Sequence, residues 1–174
     1  MKLASYKGIH EGISGLANIG IRIRLSSIYS HSELVFEPKD RVREFMPDGT
    51  MHSIDHKPWC FSSSAIDIMP EWSPYRAGRR GGCRFKRIDL NPDNWDFLEI
   101  PYDINEIRTA RLATKLQGKM YDWQGIFGYL AWFIPDKAER YTCSEAIAEV
   151  LECLEPFRYN PPVLHSAVQL SGRN

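Results

Sequence analysis

Apolar and polar positions alternate through the middle of the chain and switch to a helical period after it. Ser30-His31-Ser32-Glu33-Leu34-Val35-Phe36-Glu37 is rich in strand formers and stops at Pro38. Its period of two puts His31, Glu33 and Val35 on one face, and Ser32, Leu34 and Phe36 on the other. Further strands are expected at Leu3–Lys7, Trp59–Ser64, Cys83–Leu90 and Asp96–Pro101. Asp48-Gly49 is a tight-turn signal. Residues 66–82 hold Pro70, Pro74 and the run Gly78-Arg79-Arg80-Gly81-Gly82, which reads as an exposed loop inserted into the domain.

Helical spacing is weak near the start, where Ile13 to Leu25 reads as a short helix, and strong after residue 103. Asp103 is a candidate cap with Glu106 three residues on. Ile104, Ile107, Ala110, Leu112, Ala113 and Leu116 form a buried side, and Gly118 is a natural stop. A compact apolar helix is expected over Ile126–Phe133, and a last one over Val163–Leu170 after Asn160-Pro161-Pro162. Strands first and helices after them predict an α+β fold: a small antiparallel sheet packed against helices, in a single domain over 1–174.

Tyr141-Thr142-Cys143-Ser144-Glu145 opens the helix that matters most for chemistry. Thr142 has an N-cap side chain and Glu145 stands at the capping-box spacing, so Cys143 is the first helical residue. Ala146, Ile147, Val150, Leu151 and Leu154 continue its apolar face. A thiol in that position lies near free backbone N–H groups and the positive end of the helix dipole, both of which favour a thiolate.

Composition narrows the field of partners. Lysine plus arginine equals aspartate plus glutamate at 22 each, so no net field draws the protein to nucleic acid or to an anionic membrane. No apolar run approaches the length of a membrane span. The four cysteines, Cys60, Cys83, Cys143 and Cys153, show no C-x-x-C spacing, and Met1–Lys7 lacks a secretory core. Reduced thiols and a cytoplasmic setting are expected.

A cysteine hydrolase needs a thiolate at a helix start, an imidazole within reach and a polar group to orient that imidazole. Cys143 offers the first. Of the histidines at 10, 31, 52, 56 and 165, only His31 sits in a strongly strand-like run with a carboxylate, Glu33, on the same face. A buried structural role is the competing reading for both Cys143 and His31. A metal site from His52, His56, Cys60 and Cys83 is disfavoured, because Pro58 interrupts the helix that would gather the four-residue spacing. No metal and no cofactor is expected. The aromatic stretch Tyr121–Phe133 reads either as core or as the wall of an acyl pocket.

Three motifs then resemble a family: Ser30-His31-Ser32-Glu33-Leu34-Val35-Phe36, Tyr121-Asp122-Trp123-Gln124-Gly125-Ile126-Phe127-Gly128, and Tyr141-Thr142-Cys143-Ser144-Glu145. In this order they are similar to the YiiX-like, circularly permuted branch of the NlpC and papain-like superfamily, to which lecithin–retinol acyltransferase-like proteins are related. The stretch Phe61–Ser64, Gly81–Lys86 and Trp95 resembles phage- and prophage-encoded members. The histidine strand precedes the cysteine helix, the reverse of the papain order. The resemblance implies a permuted papain-like fold and a thiol hydrolase of the peptidase or amidase type, with Cys143 as nucleophile and His31 as base. Its substrate would be a peptide, amide or acyl compound, met in the cytoplasm, that of the host for a phage protein. It also leaves two other readings: an inactive binding or virion-associated protein with the same fold, and a lipid acyltransferase or thioesterase. The third catalytic position is assigned to Glu33, the nearest acid by strand geometry, with Ser62, Ser64 or another polar residue as the alternatives.

Overall fold

The computed structural model describes residues 1–8, 19–51, 55–73, 76–101, 103–122 and 140–172. Five strands form one antiparallel sheet: β1 (Lys2–Tyr6), β2 (His31–Phe36), β3 (Trp59–Ile68), β4 (Arg80–Arg87) and β5 (Trp95–Glu99). Their spatial order is β4-β3-β2-β1-β5, so β2 lies at the centre. Residues 19–24 are helical and are called α1 here. Three further helices follow, α2 (Glu106–Leu116), α3 (Cys143–Val150) and α4 (Pro161–Ser171). A short parallel pair, β6 (Met120–Tyr121) with β7 (Arg140–Tyr141), leads into α3.

The alternation read from β2 sorts the whole sheet into two faces. Leu34 stands opposite Leu3 and Phe61, and Phe61 stands opposite Phe85. This row carries the main core. Ala146, Ile147 and Val150 of α3, Ala110 and Ala113 of α2, and Leu164 and Val168 of α4 close over it. A fully buried Leu, Ile or Phe contributes roughly 1.5–3 kcal/mol, so this layer is the chief source of stability. The other face carries Ala4, Tyr6, Val35, Cys60 and Trp95 as a second, smaller cluster.

Several element boundaries differ from the sequence expectation. The inserted loop is shorter than 66–82, because β3 runs to Ile68 and β4 begins at Arg80. A register shift between Ser64 and Ile68 carries the pairing past the irregular residues, and Ile68 meets Arg80. The cap of α2 is Asn105, whose side chain accepts from the Arg108 N–H at 3.0 Å, and not Asp103. Asparagine and aspartate cap equally well, so three-residue geometry alone decided between them. Helix α3 stops at Val150, two turns after it starts. Glu152 and Glu155 adopt left-handed backbone, and Leu154 is left exposed instead of continuing the apolar face. The helix α4 starts at Pro161, with the Asn160 side chain capping the Val163 N–H. The expected helix at Ile126–Phe133 and the histidines at 10 and 52 lie outside the described residues.

The link from β4 to the segment that enters β6 depends on one glycine. The Lys119 carbonyl accepts from the Cys83 N–H at 2.9 Å, and the Cys83 carbonyl accepts from the Gly118 N–H at 2.8 Å. Gly82, with φ +145°, lets the two backbones come that close: a Cβ there would stand 2.5 Å from the Lys119 oxygen. Gly82→Ala is therefore expected to cost about 1–3 kcal/mol in urea unfolding. An unchanged midpoint would remove this contact from the account.

Candidate active site

Cys143 opens α3 with the capping box that the sequence predicts. The Thr142 side chain accepts from the Glu145 N–H at 3.4 Å, and the Glu145 carboxylate accepts from the Thr142 N–H at 3.2 Å. Ser144 ties the first turn to the following segment by donating to the Tyr159 carbonyl at 2.6 Å. The helix packs against the central strand β2 and its neighbour β3. Cys143 is buried, 6% exposed.

There the thiol meets His31, the first residue of β2. The imidazole ring and the backbone N–H groups of Ser32 and Ser144 lie close enough to the sulfur to favour its charged form. Burial opposes a charged sulfur. The His31 charge, its hydrogen bond and the two N–H groups outweigh that burial and bring the Cys143 pKa below the ordinary thiol value. For His31, burial likewise favours the neutral ring, but the Cys143 charge and hydrogen bond, followed by those of Glu33, carry its pKa well above the usual range. The two shifts support each other: each favours the charged form of its group, so the pair leans toward thiolate and imidazolium.

Glu33 holds the far side of the ring. His31 Nε2 lies 2.7 Å from Glu33 Oε1, which leaves Nδ1 as the ring nitrogen for the thiol side. Two residues apart on one strand face, they meet without any rearrangement of the sheet. Ser62 and Ser64, the competing candidates, are engaged elsewhere. Ser62 donates to the Ser32 carbonyl at 2.7 Å, and Ser64 Oγ accepts from the Ile66 and Asp67 N–H groups. The ring of Trp95 stands edge-on to His31 at 6.3 Å and packs on Tyr6, forming an aromatic wall beside the imidazole. The imidazole keeps 26% of its surface exposed, so the pair has an open side.

The sequence reading missed what lies behind Glu33. That carboxylate is 1% exposed, and Arg84 of β4 grips both of its oxygens, Nη1 to Oε2 at 2.8 Å and Nη2 to Oε1 at 2.6 Å. Arg84 Nε donates to Asp67 Oδ2 at 2.8 Å, and Lys86 reaches Asp67 Oδ1 at 2.7 Å. Burial raises the Glu33 pKa, but Arg84 and His31 overcome it and hold the group ionised. An arginine flanked by Cys83 and Phe85, in the middle of a strand that reads as half-apolar, was the available signal. A buried arginine must be paired.

No family model, curated protein or solved structure matches the chain.

The other described histidines, His56 and His165, and the other three cysteines have different surroundings. His165 in α4 has Nδ1 at 2.9 Å from Ser5 Oγ and Nε2 at 3.3 Å from the Tyr29 hydroxyl, and its ring stacks on Tyr29. His56 is exposed in a turn. Cys60 and Cys83 point to opposite sheet faces, so they cannot share an ion with His56. Among the described residues no group of three or more potential metal ligands comes together, and no helix is long and apolar enough to cross a membrane. Burial pushes the thiols of Cys60, Cys83 and Cys153 up, that of Cys83 to about 12.

The four cysteines thus differ in the direction of their shifts, and alkylation reads this directly. With iodoacetamide at about pH 6, Cys143 is expected to react at least about tenfold faster than Cys60, Cys83 or Cys153 in the native protein. Peptide mass mapping after timed quenching measures it, and equal rates would exclude an activated thiolate.

Proposed function

We propose that the protein is a thiol hydrolase acting on amide, ester or thioester bonds through an acyl-enzyme, with a permuted papain-like arrangement of its histidine strand and cysteine helix. The observation that carries this reading is the contact of Cys143 with His31 at a capped helix start, with Glu33 on the far ring nitrogen.

In the first step the Cys143 thiolate attacks the carbonyl carbon, forming a C–S bond and an oxyanion. The N–H of Cys143 is the proposed donor to that oxyanion, since it sits at the positive end of α3. Collapse of the intermediate breaks the bond to the leaving amine, alcohol or thiol. His31 Nδ1 supplies the proton that the leaving group takes up. Water then attacks the thioester, His31 accepts the water's proton, and departure of the carboxylic acid regenerates the thiolate–imidazolium pair. Glu33 stays an anion throughout and stabilises the imidazolium.

A catalytically silent binding protein would not need a thiol whose charged form is favoured by a neighbouring imidazole. The contact between Cys143 and His31 therefore supports turnover over that alternative. The reading of an acyl pocket rests on Tyr121–Phe133, of which residues 123–133 lie outside the described residues.

Incubation with p-nitrophenyl acetate tests the proposal without knowledge of the natural substrate. A burst of nitrophenolate and an acetyl adduct on Cys143 are expected. Cys143→Ala is expected to abolish both, and His31→Ala to slow the burst by about 100-fold or more. An adduct that forms on other residues at the wild-type rate in Cys143→Ala would refute the nucleophile assignment.

A further inference from the structure

We propose that Arg84 is a positioning residue: it fixes the plane of the Glu33 carboxylate, and through Glu33 it sets the orientation and charge of His31. The proposal rests on the thiolate–imidazolium reading of Cys143 and His31, and adds a residue to it that touches neither the sulfur nor any substrate.

The geometry is over-determined in a way that a structural ion pair does not require. Arg84 uses its two terminal nitrogens on the two oxygens of Glu33, and its Nε on Asp67. Held from both edges, the guanidinium plane cannot rotate, and the carboxylate bound to it in the fork cannot rotate either. That leaves Glu33 Oε1 at one defined point, 2.7 Å from His31 Nε2. The sheet leaves room for the arrangement. Ser62 stands opposite Arg84 on β3 and on the same face as Glu33, and its short side chain turns to the Ser32 carbonyl. Arg84 therefore crosses over β3 to reach β2.

The charges alternate along the whole chain of contacts. Thiolate, imidazolium, carboxylate, guanidinium, carboxylate and ammonium follow in the order Cys143, His31, Glu33, Arg84, Asp67 and Lys86. Among the described residues, Tyr6 of β1, paired in register with His31, Ser62 of β3, opposite Arg84, and Cys60 of β3, which feels the Glu33 charge, also flank this chain. None of the three is charged at neutral pH, so the field they leave at His31 is dominated by Cys143, Glu33 and Arg84.

Position and charge make opposite demands, which gives the proposal a sharp test. If Arg84 mattered only by neutralising Glu33, its loss would strengthen the pull of Glu33 on the imidazolium and move the reactive thiolate to lower pH. If Arg84 holds Glu33 in place, its loss frees the carboxylate, weakens the imidazolium and moves the thiolate to higher pH. Arg84→Lys keeps the charge and removes the fork, so it isolates position.

The experiment is the pH profile of Cys143 carbamidomethylation by iodoacetamide in the full chain, with Cys153 as internal reference. Arg84→Lys is expected to raise the profile's midpoint by about one pH unit, slowing alkylation below it by roughly tenfold. Glu33→Gln is expected to raise the midpoint too, and Arg84→Lys is expected to add nothing in that background, because Arg84 acts through Glu33. A midpoint that stays or falls in Arg84→Lys, or shifts that add in the double variant, overturns the proposal. If Arg84→Lys fails to fold by circular dichroism, Asp67→Asn takes its place, since it loosens the guanidinium from its partly exposed edge. A smaller upward shift is then expected, and an unmoved midpoint overturns the proposal. A wild-type chain in which Cys143 reacts no faster than Cys153 sinks the thiolate reading and this proposal together. Selective wild-type alkylation with an unmoved variant sinks the positioning role alone.

Discussion

Burying Glu33 is the constraint on which the rest of the site depends. A carboxylate with almost no exposure stays ionised only if fixed partners replace its water. Arg84 and His31 do this at 2.6–2.8 Å. Those partners in turn fix what each of them can do. The imidazole ring has one nitrogen committed to Glu33 and the other directed to the cysteine side, while the guanidinium is held on its outer edge by Asp67. Removing one member of such a chain leaves its neighbours buried and uncompensated, so the contacts act as one unit and not as separate pairs.

The fold separates stability from chemistry by using the two faces of the sheet differently. Toward the helices the sheet presents Leu3, Leu34, Phe36, Phe61 and Phe85, and this apolar layer anchors α3. On the opposite face the same strands carry Glu33, Ser62 and Arg84 in a row beside Val35 and Cys60. Helix α3 meets both systems. Its body, Ala146, Ile147 and Val150, is seated in the apolar layer, and its first residue reaches the end of β2, where His31 begins. Packing of the helix thus sets the position of the sulfur to within what the core tolerates. The capping box then fixes which N–H groups face it.

Part of this site was legible because it is local. Thr142, Cys143 and Glu145 occupy the cap and first turn of one helix, and the capping-box spacing is enough to locate the start. His31 and Glu33 are two residues apart on one strand, and strand geometry alone puts them side by side. What was not legible crosses the sheet. Arg84 is 51 positions from Glu33. Nothing in the local pattern of Cys83-Arg84-Phe85 says which carboxylate it meets, because that depends on the register of β2 on β3 and of β3 on β4. Asp67 lay in a stretch whose prolines and glycines suggested a loop, and a register shift in β3 kept it beside the sheet. The misplaced cap of α2 and the early end of α3 have a similar origin. Asp103 and Asn105 carry equivalent capping chemistry, and Leu154 fits the helical period. The backbone turn at Ile104 and the left-handed residues Glu152 and Glu155 decided otherwise.

By itself, then, the sequence determined the two short-range halves of the site: a thiol at a capped helix start and a histidine paired with a carboxylate along a strand. Both follow from periods of 3.6 and 2, which need no knowledge of the rest of the chain. Only the tertiary structure decided that these halves meet, because Cys143 and His31 are joined through the packing of α3 on β2. It also decided between Glu33 and the serines Ser62 and Ser64 at the far ring nitrogen, and it supplied Arg84. The physical reason is that a buried charge is defined by its partners, and partners from separate strands are chosen by sheet register, which the local sequence does not contain.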